Sequence, residues 1–259
     1  MLAQHPEVWA PEPKEPGFFS LTDEITPRGI ARYTAPYAGA GDRRWVLDGS
    51  TSYAQTVRYP HTIDRIRHHC GGDLHFLYLV REPVERIRSA YVQLRSEGLN
   101  DLPRDLGAAL PRLIEPTWYH THWSAYADAF GAERIFVATF EELVADPAAV
   151  TARCLDFLGV EQRPLEPVHA NVSVDRIQNP PVLDRLLGFA PVRRLAAAVR
   201  GSRLESVATG LRARLAQPVD KPELTPAELG EAWPRLRDEA LAILEIAGDT
   251  PERWPSLAS

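Results

Sequence analysis

The arginine at position 81 stands where a protein could bind an anion. It directly follows a nearly continuous apolar run, residues 74–80, and Ser89 lies eight positions further on. An arginine at the carboxyl end of a buried strand faces the crevice in which open α/β sheets bind ligands, and its planar fork can hold a phosphate through two parallel hydrogen bonds. Ser89 could add a hydroxyl donor from the same side of the next helix. The alternative is that Arg81 caps this helix or pairs with Glu85, and that Ser89 faces a neighbouring helix.

Strands and helices alternate on both sides of this arginine. The run 74–80 is typical of a strand buried on both faces, as in a parallel sheet covered by helices. A helix is predicted over 83–97, because Pro83 suits the first helical position and an acid follows in the first turn. A second strand is predicted at 134–139. A helix is predicted after this strand. It begins at Asp146–Pro147, because Asp146 is a good N-cap and Pro147 a good first helical residue, and it ends at Gly159.

Two further elements complete the predicted order. A short strand is predicted at 45–48, and a C-terminal helix at 225–247 opens with Thr225 and Glu228 at capping-box spacing. Strands alternating with helices indicate an α/β fold with right-handed crossovers. A length of 259 residues, 44% of them hydrophobic, suits one sizeable core, so a single domain over 1–259 is predicted.

The composition excludes several classes of protein. A formal net charge of −6 argues against a general nucleic-acid binder. The two cysteines form no CxxC pair, which argues against a disulfide scaffold or a cysteine zinc site and fits a reducing cytoplasm. No apolar run approaches the roughly 20 residues of a membrane span, and the N-terminal residues lack the features of a secretory signal. Only two lysines occur, Lys14 and Lys221, so a mechanism that needs a lysine has two candidates.

The segment 190–217 differs from the rest of the chain in its charge. It contains six arginines against one acid, Glu205, and its apolar residues recur at roughly helical spacing. Surface helices with solvated arginines are one interpretation. A basic helical lid over an anionic cofactor or acceptor, or a contact with a membrane surface, is the other.

Several stretches, in the same order along the chain, resemble the sulfotransferases that use 3′-phosphoadenosine 5′-phosphosulfate (PAPS). Arg81–Tyr91 (REPVERIRSAY) is similar to the family's R-x-P-x-x-R-x-x-S-x-Y motif for the 3′-phosphate. Leu2–Phe19 looks like its L-x-x-HP…KEP-x-FF segment, and Asp48–Tyr53 (DGSTSY) like its G-[DE]-x-S-P-x-Y turn on the substrate side. Ile135–Pro147 resembles its I-x-V-x-x-x-E-D-L-x-x-DP strand and helix, with Phe157–Val160 as the usual close.

The resemblance implies transfer of a sulfuryl group from PAPS, the co-substrate, to an acceptor hydroxyl or amine, with no metal. Arg81 and Ser89 would hold the donor's 3′-phosphate. Glu15 matches the acid of the KEP motif in the carbohydrate-acting branch and would be the general base that takes the acceptor's proton. Lys14 would neutralise sulfate oxygens or pair with Glu15. The alternative for Lys14 and Glu15 is a solvated charged turn between two prolines.

The same resemblance implies a P-loop-type three-layer α/β fold with a largely parallel central sheet. In the family, an N-terminal strand, a loop with Lys or Arg among Gly, Thr and Ser, and the next helix bind the 5′-phosphosulfate. Met1–Pro6 is similar to the last turn of that helix, so the N-terminal strand and loop are missing here. The favoured hypothesis places the true start upstream. The alternative is a degraded or non-catalytic relative.

Three functions are therefore compared. The first is transfer of a sulfuryl group to a hydroxyl of a carbohydrate, lipid or secondary metabolite, and the HP…KEP signature favours glycan or glycolipid acceptors. The second is a non-catalytic module that binds a nucleotide or a partner through Arg81 and Ser89. The third, a P-loop kinase, is the weakest because no GxxxxGK[ST] motif occurs.

A cytoplasmic protein that binds no nucleic acid is expected, and a homodimer is left open. Phe18 and Phe19 are predicted to pack in the core rather than line a sugar site.

Overall fold

The computed structural model describes residues 1–12, 14–71, 73–96, 103, 105–166, 177–178, 217–218 and 220–258. Its strands are, in chain order, β1 (Val8–Trp9), β2 (Trp45–Val46), β3 (Phe76–Val80), β4 (Ile135–Thr139), β5 (Ile177–Gln178) and β6 (Gln217–Pro218). Its α-helices are α1 (Phe18–Leu21), α2 (Pro27–Thr34), α3 (Thr62–Cys70), α4 (Pro83–Ser96), α5 (Leu106–Ile114), α6 (Tyr119–Phe130), α7 (Phe140–Ala145), α8 (Pro147–Leu158) and α9 (Trp233–Ala247). The predicted alternation of strands and helices is confirmed.

The strands β3 and β4 form the parallel pair that positions the predicted site. Phe76 lies opposite Ile135 and Val80 opposite Thr139, so the two strands end at the same edge. The chain enters α4 after β3 and α7 after β4. A second parallel pair joins β1 to β2, and β5 pairs with β6 in the antiparallel direction. Within the described residues these are three two-stranded sheets, and the predicted parallel pairing is confirmed.

The ends of α8 show how local chemistry sets the helices. The Asp146 side chain accepts a hydrogen bond from the Ala149 N–H at 2.9 Å, and Pro147 occupies the first helical turn. Gly159 ends the helix with a φ of 62°, a left-handed conformation that a residue without Cβ adopts at little cost. Both predicted boundaries of this helix are confirmed.

A buried core cluster covers one face of β3. Val80 and Val137 pack with Ile243 and Leu244 of α9 and with Trp254 in one buried cluster. Successive residues of a strand point to opposite faces, and the other face of β3 carries an exposed pair of leucines, Leu77 at 38% and Leu79 at 50% of their full exposure. The prediction that this strand is buried on both faces is therefore wrong for the part of the protein that the structure describes.

The C-terminal helix begins later than its sequence indicates. Thr225 and Glu228 form the predicted reciprocal cap, with the Thr225 N–H donating to the Glu228 carboxylate at 2.7 Å, but a 3-10 segment, Ala227–Ala232, follows it. Gly230 takes a φ of 53° and a ψ of −127°, outside any helical conformation. The regular helix α9 therefore covers Trp233–Ala247, and its predicted end before Gly248 is confirmed.

The chain divides into two compact units. The first comprises Met1–Pro83, Glu115–Val168 and Leu229–Ser259, and the second Val84–Ile114 and His169–Glu228. The single-domain organisation stays a prediction. The basic segment 190–217 lies outside the described residues except for its last residue. No helix in the described ranges is long and apolar enough to cross a membrane.

Candidate active site

The loop that carries Lys14 and Glu15 lies against the turn that follows β2. The Gly49 N–H donates to the Lys14 carbonyl at 3.2 Å, and the Thr51 hydroxyl donates to Glu15 Oε2 at 3.1 Å. The Gly17 N–H donates to Ser50 Oγ at 2.7 Å. The structure thus brings together two stretches that the sequence analysis singled out separately.

Glycine is needed where these two segments touch. A Cβ atom on Gly49 would lie 3.0 Å from the Lys14 carbonyl oxygen, tighter than ordinary van der Waals contact. Gly17 has a φ of 60° at the start of α1, in the left-handed region that favours glycine. Gly49 therefore lets the two backbones approach, and Gly17 lets the chain turn into α1. The side chains of Lys14 and Glu15 are exposed to solvent.

The carboxylate of Asp48 is the centre of a polar cluster beneath this loop. Oδ2 accepts from the hydroxyls of Tyr33 and Tyr53, each at 2.9 Å. Oδ1 accepts from the Ser50 N–H at 2.9 Å and from the Ser50 hydroxyl at 2.5 Å. Burial, and then the negative charge of Asp48, raise the pKa of both tyrosines far above the usual range of a phenol. These hydroxyls consequently stay protonated and act as donors to Asp48.

The phenylalanines next to the loop belong to the core. Phe18 and Phe19 are buried in a cluster that includes Ile66 and Tyr126. The ring of Phe18 stacks on Tyr33, with centroids 4.6 Å apart and planes 11° apart. The prediction that both phenylalanines pack in the core is confirmed. Their packing anchors α1, which starts directly after the Glu15 loop.

Arg81 lies at the carboxyl end of β3, as the sequence predicts. Its carbonyl oxygen accepts from the Tyr119 hydroxyl at 2.7 Å. Its guanidinium carbon lies 4.7 Å from the centroid of the Phe140 ring, the residue that follows β4. A guanidinium at this distance gains a cation–π attraction while its donors remain directed in the plane of the fork. The side chain is partly buried, so it is held at the edge where both strands end.

Glu141 holds the backbone next to Arg81. Its Oε1 accepts from the Glu82 N–H at 3.2 Å, and its Oε2 accepts from Trp254 Nε1 at 2.9 Å. The Ser256 hydroxyl donates to the buried Glu82 carboxylate. The strand end that presents the arginine is therefore fixed through α7 and the C-terminal residues.

Glu85, the acid that the local pattern offers to Arg81, has basic neighbours within its own compact unit, and its pairing with Arg81 stays an alternative prediction. Glu85 forms ion pairs with Arg88 at 2.6 Å and with Lys221. Ser89 lies on α4 and is partly buried. Arg81 and Ser89 belong to different compact units of the chain, so Ser89 as a phosphate ligand stays a prediction. In the described ranges, no group of three or more His, Cys, Asp or Glu side chains is placed to hold a metal ion.

Sequence reasoning missed the residues that support the predicted site. Asp48 was part of a motif without a role of its own, although an aspartate two residues before a serine is a signal for a turn that its side chain closes. Glu141 was likewise part of a motif without a role of its own, and its partner Trp254 lies 113 residues away. Tyr33 and Tyr119 carried no local signal, because their partners lie 15 and 38 residues away along the chain.

Comparison with known proteins identifies sulfotransferases. A family model described as "Sulfotransferase family" matches residues 31–164. Human heparan sulfate glucosamine 3-O-sulfotransferase 6 is 30% identical over 173 residues, which cover 62% of this chain and 47% of that protein. Human heparan sulfate glucosamine 3-O-sulfotransferase 3B1 is 28% identical over 176 residues, with 62% and 42% covered. The chain thus spans about half the length of the curated relatives it matches.

A solved structure shows the same fold. The sulfotransferase from Alicyclobacillus acidocaldarius superimposes with a TM-score of 0.54 at 26% sequence identity, covering 79% of this chain and 90% of that one. The similarity therefore extends well beyond the residues of the family match.

Proposed function

This chain belongs to the sulfotransferase family, and from that premise we propose that it transfers a sulfuryl group from PAPS to a hydroxyl group of a carbohydrate. The single observation that carries the proposal is the position of Arg81, a guanidinium held at the edge where β3 and β4 end. Two relatives are named as sulfotransferases of heparan sulfate glucosamine, and these names support a sugar acceptor.

The donor groups at the strand end fit a nucleotide phosphate. A guanidinium offers parallel N–H donors that match two phosphate oxygens, and we assign Arg81 to the 3′-phosphate of the donor. Ser89 would add one hydroxyl donor. PAPS supplies an activated sulfuryl group whose bond to the bridging phosphate oxygen breaks as the acceptor oxygen bonds to sulfur. The protein's part is to align the two oxygens and to stabilise the charge that develops.

We assign Glu15 as the general base. Its carboxylate is exposed. Hydrogen bonds at the Lys14 carbonyl, the Gly17 N–H and the Glu15 side chain hold the loop that carries it. The hydrogen bond from Thr51 uses one of about four lone-pair sites of a carboxylate, which leaves capacity to accept the proton of an acceptor hydroxyl. In the proposed step that proton moves to Glu15 as the acceptor oxygen attacks. Lys14, also exposed, would sit beside the sulfate oxygens as a mobile positive charge.

Nucleotide binding is the first test. Calorimetric titration with 3′,5′-adenosine bisphosphate should give a dissociation constant that Arg81→Ala raises at least about tenfold, the equivalent of the roughly 1.5 kcal/mol of a weak charged hydrogen bond. Arg134→Ala is the matched control, since Arg134 lies at the opposite end of β4 and pairs with Asp73 at 3.2 Å. Equal affinities for the wild type and Arg81→Ala would remove Arg81 from the site.

Sulfuryl transfer is the second test. With radiolabelled PAPS and a glucosamine-containing oligosaccharide, we expect Glu15→Gln to lower kcat by about 10²–10⁴-fold, the usual contribution of a general base, with bisphosphate binding unchanged. Glu12→Gln, an exposed acid on the same segment, is the control. Binding without transfer to any carbohydrate, lipid or small hydroxyl compound would favour the non-catalytic module. The cytoplasmic location stays a prediction.

A further inference from the structure

We propose that Asp48 is a positioning residue for the Glu15 loop: its carboxylate orients two hydroxyl groups so that they accept hydrogen bonds from the backbone N–H groups of Gly17 and Phe19, two and four residues after Glu15. The proposal rests on the proposed function, because it assigns Asp48 a role in presenting the base. It concerns residues of one compact unit, and each link in it is a hydrogen bond of the structure.

The first link runs through Ser50. An ionised carboxylate can only accept hydrogen bonds, so the Ser50 hydroxyl, 2.5 Å from Asp48 Oδ1, must be the donor in that contact. Its lone pairs are then available to the Gly17 N–H, which approaches Ser50 Oγ to 2.7 Å. Ser50 is buried, so this relay operates away from solvent. Gly17 is two residues from Glu15.

The second link runs through Tyr53. The Tyr53 hydroxyl donates to Asp48 Oδ2 at 2.9 Å and accepts from the Phe19 N–H at 3.2 Å. Gly17 and Phe19 lie at the amino end of α1, where backbone N–H groups have no partner within their own helix. One carboxylate therefore satisfies two such groups indirectly, through two oriented hydroxyls.

A carboxylate is required at position 48, not merely a polar side chain of similar size. Asp48 receives donors on both oxygens, from Tyr33 and Tyr53 on one and from Ser50 on the other. An asparagine would turn its NH₂ group toward one of these sets. The hydroxyls there would lose the acceptor that they donate to and would have to turn to accept from the amide, so that their lone pairs no longer point at the Gly17 or Phe19 N–H. We therefore expect Asp48→Asn to release the start of α1, and with it the loop that presents Glu15.

Residue-resolved amide hydrogen exchange tests the positioning directly. In Asp48→Asn, we expect the Gly17 and Phe19 amides to exchange at least about tenfold faster than in the wild type, because the open state of the loop is more populated. Tyr126→Phe is the matched control: it removes one tyrosine hydroxyl from the same neighbourhood, the one that donates to the Tyr53 carbonyl at 2.9 Å, and leaves Asp48 untouched. Its Gly17 and Phe19 amides should exchange at wild-type rates.

Kinetics of sulfuryl transfer tests the consequence for the base. Asp48→Asn should lower kcat at least about tenfold with little change in the KM for PAPS, and Tyr126→Phe should keep wild-type kcat. Unchanged exchange at Gly17 and Phe19 in Asp48→Asn, or a kcat equal to that of Tyr126→Phe, would overturn the proposal.

Two further arms keep the result interpretable. If Asp48→Asn does not fold, Ser50→Ala removes one relay only, and it should speed exchange at Gly17 more than at Phe19; equal rates at both amides would count against the relay. The proposed function is judged separately, by wild-type transfer and the effect of Glu15→Gln. If no transfer is detected, the proposed function fails but the exchange results at Gly17 and Phe19 still stand. If an active Asp48→Asn protein exchanges these two amides at wild-type rates, only the positioning role is refuted.

Discussion

Replacing Glu239 with alanine should uncap α6, the helix that carries Tyr119 and through it supports the Arg81 carbonyl. Glu239 lies on α9, and its buried carboxylate reaches the first turn of α6. Oε2 accepts from the Thr121 N–H at 2.7 Å, and Oε1 accepts from the Thr121 hydroxyl. Trp118, which precedes α6, supplies no side-chain cap. An acid from another helix therefore performs the capping that the local sequence lacks.

The size of the effect follows from these contacts. A hydrogen bond to a charged group contributes about 1.5–3 kcal/mol, and a negative charge at a helix amino end adds about 0.3–1 kcal/mol. Water entering the space left by the side chain recovers part of the loss, so we expect Glu239→Ala to lower the free energy of unfolding by about 2–4 kcal/mol. The ion pair between Glu239 and Arg235 has an N···O distance of 3.9 Å, and the Arg235 side chain is half exposed. It adds little stability because solvent screens it.

Urea denaturation followed by tryptophan fluorescence measures this loss. Trp254 is buried in the cluster that joins α9 to β3 and β4, so its emission reports on the region concerned. We expect a lower midpoint with an unchanged m-value. Glu245→Ala, an exposed acid on the same helix, should change the free energy by less than about 0.5 kcal/mol. If the two variants are equally stable, the carboxylate of Glu239 does not cap α6.

Two further predictions concern the core. Burial raises the pKa of the Cys154 thiol to about 11, above the roughly 8.5 of an exposed thiol; the unfolded chain therefore releases this proton first, and stability falls as the pH rises between these values. The loss of unfolding free energy between pH 8 and pH 11 should be about 2–3 kcal/mol smaller in Cys154→Ala, and an equal loss in both proteins would contradict the burial effect. Ile243→Ala should cost about 2–5 kcal/mol by leaving a cavity, whereas the same change at the partly exposed Ile246 should cost much less; chemical denaturation of both variants compares them.

Much of the secondary structure was predictable because local chemistry decides it. The cap at Asp146, the proline after it and the glycine at 159 bound α8 without help from the rest of the chain. The apolar run before Arg81 is likewise a strand, and the proline at 83 starts the next helix. The late start of α9 shows the limit: Thr225 and Glu228 form their cap, but Gly230 interrupts the helix that the cap should have opened.

The burial of β3 was predicted less well. An apolar run indicates that a strand prefers to be covered, but the covering elements lie elsewhere in the chain. Tyr78 and Val80 face α9, 150 and more residues away, and are packed in the core. Leu77 and Leu79, on the opposite face, are exposed. Sequence periodicity cannot distinguish these outcomes, because both faces carry the same kind of side chain.

By itself, the sequence determined the order of strands and helices, the arginine at the end of β3 and the likeness to sulfotransferases, since each depends on residues close together along the chain. Only the tertiary structure decided what supports that site: the hydroxyls that meet at Asp48, the turn that receives the Glu15 loop and the acid of α9 that caps α6. These contacts join residues 2 to 118 positions apart. They form because packing of the core brings distant polar groups out of water together, where each buried donor must find an acceptor.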